Sequence, residues 1–396
     1  MRLEYTERQK QFRAEVREWL AANVPKEPLQ SFDLKEGFEQ HRAWERKLSE
    51  RGFSAVTWPR ELGGRGCDLI EWLIFEEEYW RAGAPLRVNQ NGIFLLAPTL
   101  MEYGTPEQKQ RFLPRMATAE DTWAQGWSEP GAGSDMAAIR SKAIRTNGHY
   151  VINGQKTWST MAQYADRCLL LVRTDSSGPP QAGLSYLLLD MKSRGVSVRP
   201  IAQITGDDEF AEIFFDEVEV PVSDRIGDEG QGWAVAQSTL ASERGLTLVE
   251  LSQRMRYALA RIAALMRERG VADDPVLRRD LGRLIPKVDA ACALADRYLL
   301  KRIDGTEAPG DASIVKLHYA RTLREFTLLG QRIAGLAGQY REEFTRGGGM
   351  ETGNWPFDFM NSYNWSIAGG SDEIQRNIIA ERMLGMPREP RNWTLA

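Results

Sequence analysis

Cysteine and histidine are scarce in this sequence, three of each in 396 residues. Cys67, Cys168 and Cys292 stand far apart, forming neither a disulfide framework nor a CxxC metal knuckle, and the chain reads as one of a reducing cytoplasm. His41, His149 and His318 are equally scattered, which argues against a His-based zinc site or a Ser-His-Asp triad; no metal site is expected. Long apolar runs are missing too. The richest, Arg167–Val172 and Leu184–Leu189, fall far short of the ~18 residues a membrane span needs. Neither sign of charge dominates: Lys+Arg is 51 against Asp+Glu 55, a net charge of −4. With no basic block, the electrostatic footprint of a nucleic-acid binder is absent. Residues Met1 to Arg8 mix charges of both signs without an apolar core, so no signal or transit peptide is expected. There is also no GxGxxG behind a strand and no GxxxxGK[ST], which excludes the usual Rossmann and P-loop nucleotide sites.

What is present is a globular composition, 42% hydrophobic and 27% charged, long enough at about 150 residues per domain for two or three domains. Apolar residues recur at helical spacing over Gln9–Trp19, Phe38–Arg51, Leu69–Arg81 and Asn91–Tyr103. Thr105-Pro106-Glu107-Gln108 opens a further helix, with Thr105 as N-cap and Gln108 completing a capping box. From Asp121 the texture becomes β-branched and aromatic. Tyr150–Trp158, broken by Asn153-Gly154, reads as a hairpin, and Cys168–Val172, Ser185–Asp190, Val196–Pro200 and Glu212–Val220 read as further strands. After Pro221 the helical period returns, over Trp233–Leu251, Met255–Arg269, Pro275–Lys301, Ala312–Leu336 and Asp372–Leu384. The expected architecture is mainly α with a central β-domain: helical over 1–120, β over 121–230, helical again over 231–396.

The densest segment runs from Gln125 to Asp135, Gln-Gly-Trp-Ser-Glu-Pro-Gly-Ala-Gly-Ser-Asp. A Pro-Gly-Ala-Gly loop lets backbone N–H groups approach a ligand closely, while Gln125, Ser128, Ser134 and Trp127 add polar groups and a flat wall. This string resembles the signature of the acyl-CoA dehydrogenase family. Further resemblance to that family lies in Trp58–Gly66, Gly104–Pro114, Gly154–Thr160, Phe214–Pro221 and Gly369–Asn377, in the family's order and over nearly the whole chain. The resemblance implies an N-terminal helical domain, a middle β-barrel or sandwich and a C-terminal helical bundle. It implies FAD as cofactor, with Gln125, Trp127 and Ser128 facing the flavin ring and Ser134 where flavin and thioester meet. Trp158, Ser159 and Thr160 would cover the other flavin face. Gln331 and Gly335 would hold a neighbouring subunit's flavin, and Ser371 and Glu373 would lie near its pyrophosphate or ribose. An acyl-CoA substrate, an electron-transfer flavoprotein as electron acceptor, and a homotetramer or α2β2 heterotetramer are implied as well.

The chemistry so implied needs a carboxylate to remove the α proton of a thioester while the flavin takes a hydride from the β carbon. In many relatives that carboxylate lies just before the C-terminal Gly-Thr, where this chain has Gly369. A minority place it on the helix after the β-domain, directly before an Arg, and Leu240-Ala241-Ser242-Glu243-Arg244 fits that pattern. Glu243 is therefore the expected base, with Asp372 and Glu373 as alternatives. Arg244 is expected to anchor the helix or CoA, and Gly369 to line a widened pocket suited to a branched, cyclic or bulky acyl group. The family's Arg-x-x-Phe-Gly, which reaches a neighbour's flavin, has no counterpart in Ala264–Pro275, so the chain is either self-sufficient through other contacts or dependent on a partner subunit. A flavin acyl-CoA oxidase on the same scaffold is the other enzymatic reading. A Gly-rich stretch, Arg346–Met350, looks like an insertion.

Overall fold

The computed structural model describes residues 4–339 and 354–388; the side chains of Ala241, Glu243 and Arg244 also lie outside the description, as does the Gly-rich stretch 346–350. By packing, the chain divides into two compact units. One carries the elements up to Glu243, and the other begins at Arg244.

The first unit opens with five helices: α1 (Glu7–Asn23), α2 (Lys35–Ser49), α3 (Leu69–Arg81), α4 (Ala97–Tyr103) and α5 (Pro106–Ala117). The capping box expected for α5 is present, with Gln108 N donating to Thr105 Oγ1 and Thr105 N to Gln108 Oε1. Eight strands follow: β1 (Trp123–Gly126), β2 (Lys142–Thr146), β3 (His149–Thr160), β4 (Arg167–Arg173), β5 (Leu184–Asp190), β6 (Val196–Pro200), β7 (Phe210–Pro221) and β8 (Arg225–Ile226). They form one mixed sheet in the order β6-β7-β3-β2-β4-β5-β8, with β1 pairing parallel to β4. Helix α6 (Gly232–Ser242) closes the unit.

The apolar runs of β4 and β5 are continuous because these strands have no watery side. Cys168, Leu170 and Val172 share a core with Tyr150, Ile152, Ile213 and Val218, so the sheet folds over onto itself. Leu169 and Leu171, on the opposite face, join Leu100, Phe112, Trp123 and Val235 from the helices and β1. Period-two alternation thus sorts one strand between two cores.

Two local expectations are corrected. The hairpin does not turn at Asn153-Gly154, because β3 runs unbroken through it. The turn is the earlier Asn147-Gly148, whose φ values of 47° and 81° suit the two left-handed positions of a type I′ turn. Asn153-Gly154 instead marks a register shift against β7, where a Cβ on Gly154 would run into Ser141. The break expected between Leu251 and Met255 is also absent: α7 runs over Leu248–Glu268, and Ser252 stays inside it by donating its hydroxyl to Leu248 O at 2.7 Å. The irregularity comes earlier, as a π-turn over Glu243–Thr247. The second unit is built on α7, α8 (Pro275–Ile303) and α9 (Asp311–Ala334), which pack on one another, with the short α10 (Trp355–Asn361) and α11 (Asp372–Ile378) against α9.

Candidate active site

Within the first unit the two signature strings lie side by side. Thr157 N on β3 donates to Ser128 O at 2.9 Å, just past the end of β1, and a tight turn follows in which Glu129 and Ala132 exchange backbone hydrogen bonds. A Cβ on Gly131 or Gly133 would meet no atom within 4 Å, so this turn faces open space, and Ser134 is exposed. Gln125 and Ser128 are half-buried. Trp127 is buried, packing edge-on to Tyr186 in the core under the loop, and its indole N–H has no protein acceptor.

Across from the loop, β3 ends in a strained stretch. Trp158 adopts φ +59°, a conformation that a bulky residue enters only at a cost of order 1–3 kcal/mol, of the kind that clusters at functional sites. The bulge between Lys156 and Ser159 leaves Trp158 58% exposed against the edge of Phe210, while Ser159 is buried with its hydroxyl unpartnered by protein. Thr160 is half-buried beside them. Exposed backbone beside a glycine turn and the bare indole face of Trp158 make a surface suited to a flat, polar-edged ring system such as a flavin.

A buried ion pair between the two strings escapes a reading of the sequence alone. Lys156 is fully buried and donates to Glu129 Oε1 at 2.8 Å and to Trp127 O at 3.0 Å. Glu129 also accepts Arg140 N at 2.6 Å and Ser141 N at 2.9 Å. Burial pushes the ammonium down to about 8 despite Glu129, and it would push the Glu129 carboxyl up, but the charge and hydrogen bond of Lys156 carry Glu129 below its ordinary value. Counting in twos from the inward Tyr150 and Ile152 already lands on Lys156, the one signal the sequence offered.

In the second unit, Gln331 and Gly335 line an open groove of ≈ 490 Å³ at the end of α9, together with Arg332, Leu336 and Gln339. Gly369 and Gly370 are left-handed (φ 66° and 88°), and Gln375 Nε2 donates to both their carbonyls at 3.0 Å. Ser371 caps α11, accepting from Ile374 N. Asp372 is held by the buried Lys316 at 3.1 Å. Glu373 is 75% exposed and pairs with Arg376; its hydrogen bonds, first to its own backbone N–H and then to Ser371, keep its carboxyl below the ordinary value. Neither carboxylate is in the apolar setting a general base requires. Glu243, by contrast, opens the π-turn that ends α6, a feature frequent at functional sites. The histidines are engaged locally: His41 bonds Leu86 O and Gln30 O, and His318 bonds Lys287 O. Among the described residues no group of three or more His, Cys, Asp or Glu is placed to hold a metal, and no helix is long and apolar enough to cross a membrane.

Comparison with known proteins agrees with this geometry. The N-terminal domain of acyl-CoA dehydrogenases matches residues 6–120, the middle domain residues 124–218 and the C-terminal domain residues 230–384. The acyl-CoA dehydrogenase IpdE1 of Mycolicibacterium smegmatis is 41% identical over 96% of this chain and 98% of its own, and its Mycobacterium tuberculosis counterpart is 41% identical with the same coverage. Among solved structures, the Tcur3481–Tcur3483 steroid ACAD superimposes with a TM-score of 0.86 at 29% identity, covering 98% of this chain and 100% of that one. The ChsE4–ChsE5 complex from Mycobacterium tuberculosis does so at 0.81 and 30%, with 98% and 100% coverage. The strings that flank the glycine turn, the β unit between helices and these relatives lead to one conclusion: the chain belongs to the acyl-CoA dehydrogenase family of oxidoreductases.

Proposed function

We propose that the chain catalyses FAD-dependent α,β-dehydrogenation of an acyl-CoA, with Glu243 as the base. The observation that carries the assignment of the base is the left-handed glycine at 369, combined with the engagement of Asp372 by Lys316 and of Glu373 by Arg376. Glu243 alone remains where the family's minority pattern places a carboxylate. In this reading Gln125, Trp127, Ser128, Ser134, Trp158, Ser159 and Thr160 hold the flavin ring, Gln331 and Gly335 hold a neighbouring subunit's flavin, and Ser371 and Glu373 serve a flavin's pyrophosphate or ribose. When bound, FAD supplies the hydride acceptor for the β carbon. The Glu243 carboxylate takes the α proton, desolvation by the acyl chain raising its proton affinity toward operating pH. Ser134, Arg244 and Gly369 bind the acyl-CoA. The electrons leave to an electron-transfer flavoprotein, in a soluble enzyme of the cytoplasm organised as domains 1–120, 121–230 and 231–396.

Two structural neighbours, the steroid ACAD and the ChsE4–ChsE5 complex, are each built from two named components. Together with the missing Arg-x-x-Phe-Gly, this favours an α2β2 assembly whose partner completes the flavin sites. The steroid relative, together with the lack of a side chain at position 369, favours a branched, cyclic or otherwise bulky acyl group. The test is Glu243→Gln, which should keep FAD and lower substrate-driven flavin bleaching on the order of 10²–10⁴-fold. Unchanged bleaching in that variant removes Glu243 from the role. Flavin content of the chain purified alone and with its partner separates self-sufficiency from dependence, and turnover restricted to butyryl-CoA or hexanoyl-CoA counts against the bulky substrate.

A further inference from the structure

The ammonium of Lys156 sits at the junction of the two strings, and stability alone does not account for it. Taking a lysine and a glutamate out of water carries a large desolvation penalty, and well-packed apolar residues of similar volume commonly do as well. Lys156 is nevertheless 0% exposed and the Glu129 side chain 9%. Gly126, beside the lysine stem, is held to a glycine by Cys168 and Leu170, which a Cβ would approach to 2.8 and 3.0 Å. The pair's bonds all go to backbone that shapes the cradle. Lys156 Nζ grips the carbonyl of Trp127, one residue before the Ser128 carbonyl that receives Thr157 N. Glu129 grips the amides of Arg140 and Ser141 and starts the glycine turn. One ion pair therefore ties residues 127–132 to β3, immediately before the strained Trp158 and the unpartnered Ser159.

We propose that Lys156, through its pairing with Glu129, is the positioning residue of the flavin cradle. It aligns the Trp127–Ala132 backbone with the end of β3 and sets a fixed positive charge behind the groups that meet the flavin. The inference rests on the reading of the chain as an FAD enzyme. Arg173 and the Cys168 thiol are the other titratable groups near the ammonium, and Arg173 opposes its charge while Glu129 supports it. A preorganised charge in a water-poor setting acts on a bound group far more strongly than an exposed one.

The holoenzyme, with its partner if one is required for flavin, is compared with Lys156→Met and with the double variant Lys156→Met, Glu129→Gln. The double variant removes both charges and keeps an acceptor for the Arg140 and Ser141 amides. Melting temperature, FAD dissociation constant, visible flavin absorption and flavin midpoint potential are read for each. Lys156→Met should lower the melting temperature and weaken FAD at least ten-fold. The double variant should recover the melting temperature while FAD remains at least ten-fold weak and the absorption and potential stay displaced. Recovery of affinity, absorption and potential along with stability would reduce the pair to a structural contact and overturn the proposal. So would a Lys156→Met enzyme with unaltered flavin. A wild-type holoenzyme that binds no FAD would instead overturn the reading beneath it, before any variant is made.

Discussion

Two glutamates in the first unit, one half-buried and one deeply buried, differ in partners and end at opposite charge preferences. Glu129 has a lysine in direct contact as well as two backbone N–H groups, and its carboxyl lies below the ordinary value. Glu45, on α2 and 4% exposed, takes Asn89 N at 3.1 Å with no cation bonded to it, although Arg87 and Arg42 are near; burial pushes it to about 7. Backbone donors and nearby guanidiniums do not offset the deep burial of Glu45, whereas an ammonium in contact offsets the shallower burial of Glu129. The lesson reaches the chemistry. A carboxylate kept as an anchor needs a cation, and one that must trade protons near neutral pH needs burial without one.

The strongest way to break the comparison is Glu129→Ala, which strands the Lys156 ammonium in the core. Chemical denaturation should show a loss of about 3–5 kcal/mol. Glu45 offers the next effect. Its carboxyl is raised from 4.5 to about 7 in the folded chain, so the folded state holds a proton that the unfolded state has released. Stability is fully present below 4.5 and declines as pH rises through about 7, by roughly 3 kcal/mol in all. Glu45→Gln should flatten that decline in unfolding curves taken between pH 4.5 and 7.5. A smaller effect attends Gly369→Glu, which places a carboxylate on a left-handed backbone. It should cost about 1–2 kcal/mol and fail to restore flavin bleaching to a Glu243→Gln enzyme, because the strained φ of 66° misdirects the new side chain. Smallest is Lys287→Ala. Lys287 and Glu325 are bonded as closely as Lys156 and Glu129, but both are roughly half exposed, so the change should stay under ~0.5 kcal/mol in the same denaturation assay.

Much of the fold was legible because its signals are local. The Thr105 capping box, the apolar runs of β4 and β5 and most of the helical periods depend on neighbours in the chain and are realised, the break placed between Leu251 and Met255 being the exception. The two Asn-Gly pairs show where local reading stops. Identical dipeptides give a turn at Asn147-Gly148 and a bulge at Asn153-Gly154, because the second is pinned between Ser141 and β7. The π-turn after Ser242 left no mark in the apolar period. Site residues were placed by motif resemblance, which named the strings without saying what joins them. The bond from Lys156 to Glu129 spans 27 positions, and no spacing rule reaches across that distance. The packing of Trp127 beneath the loop, edge-on to Tyr186, was likewise not legible from its place in the string.

The double burial of β4 has a consequence for biosynthesis. Its Leu169 and Leu171, like Leu184 and Leu188 of β5, are covered partly by Val235 and Ala236 of α6, which the ribosome makes after all eight strands. At about 5–20 residues per second, these leucine faces stay uncovered for several seconds after each strand emerges. A nascent chain halted before Gly232 presents a leucine-rich sheet face to its surroundings, the kind of surface that holdase chaperones bind and that aggregation exploits.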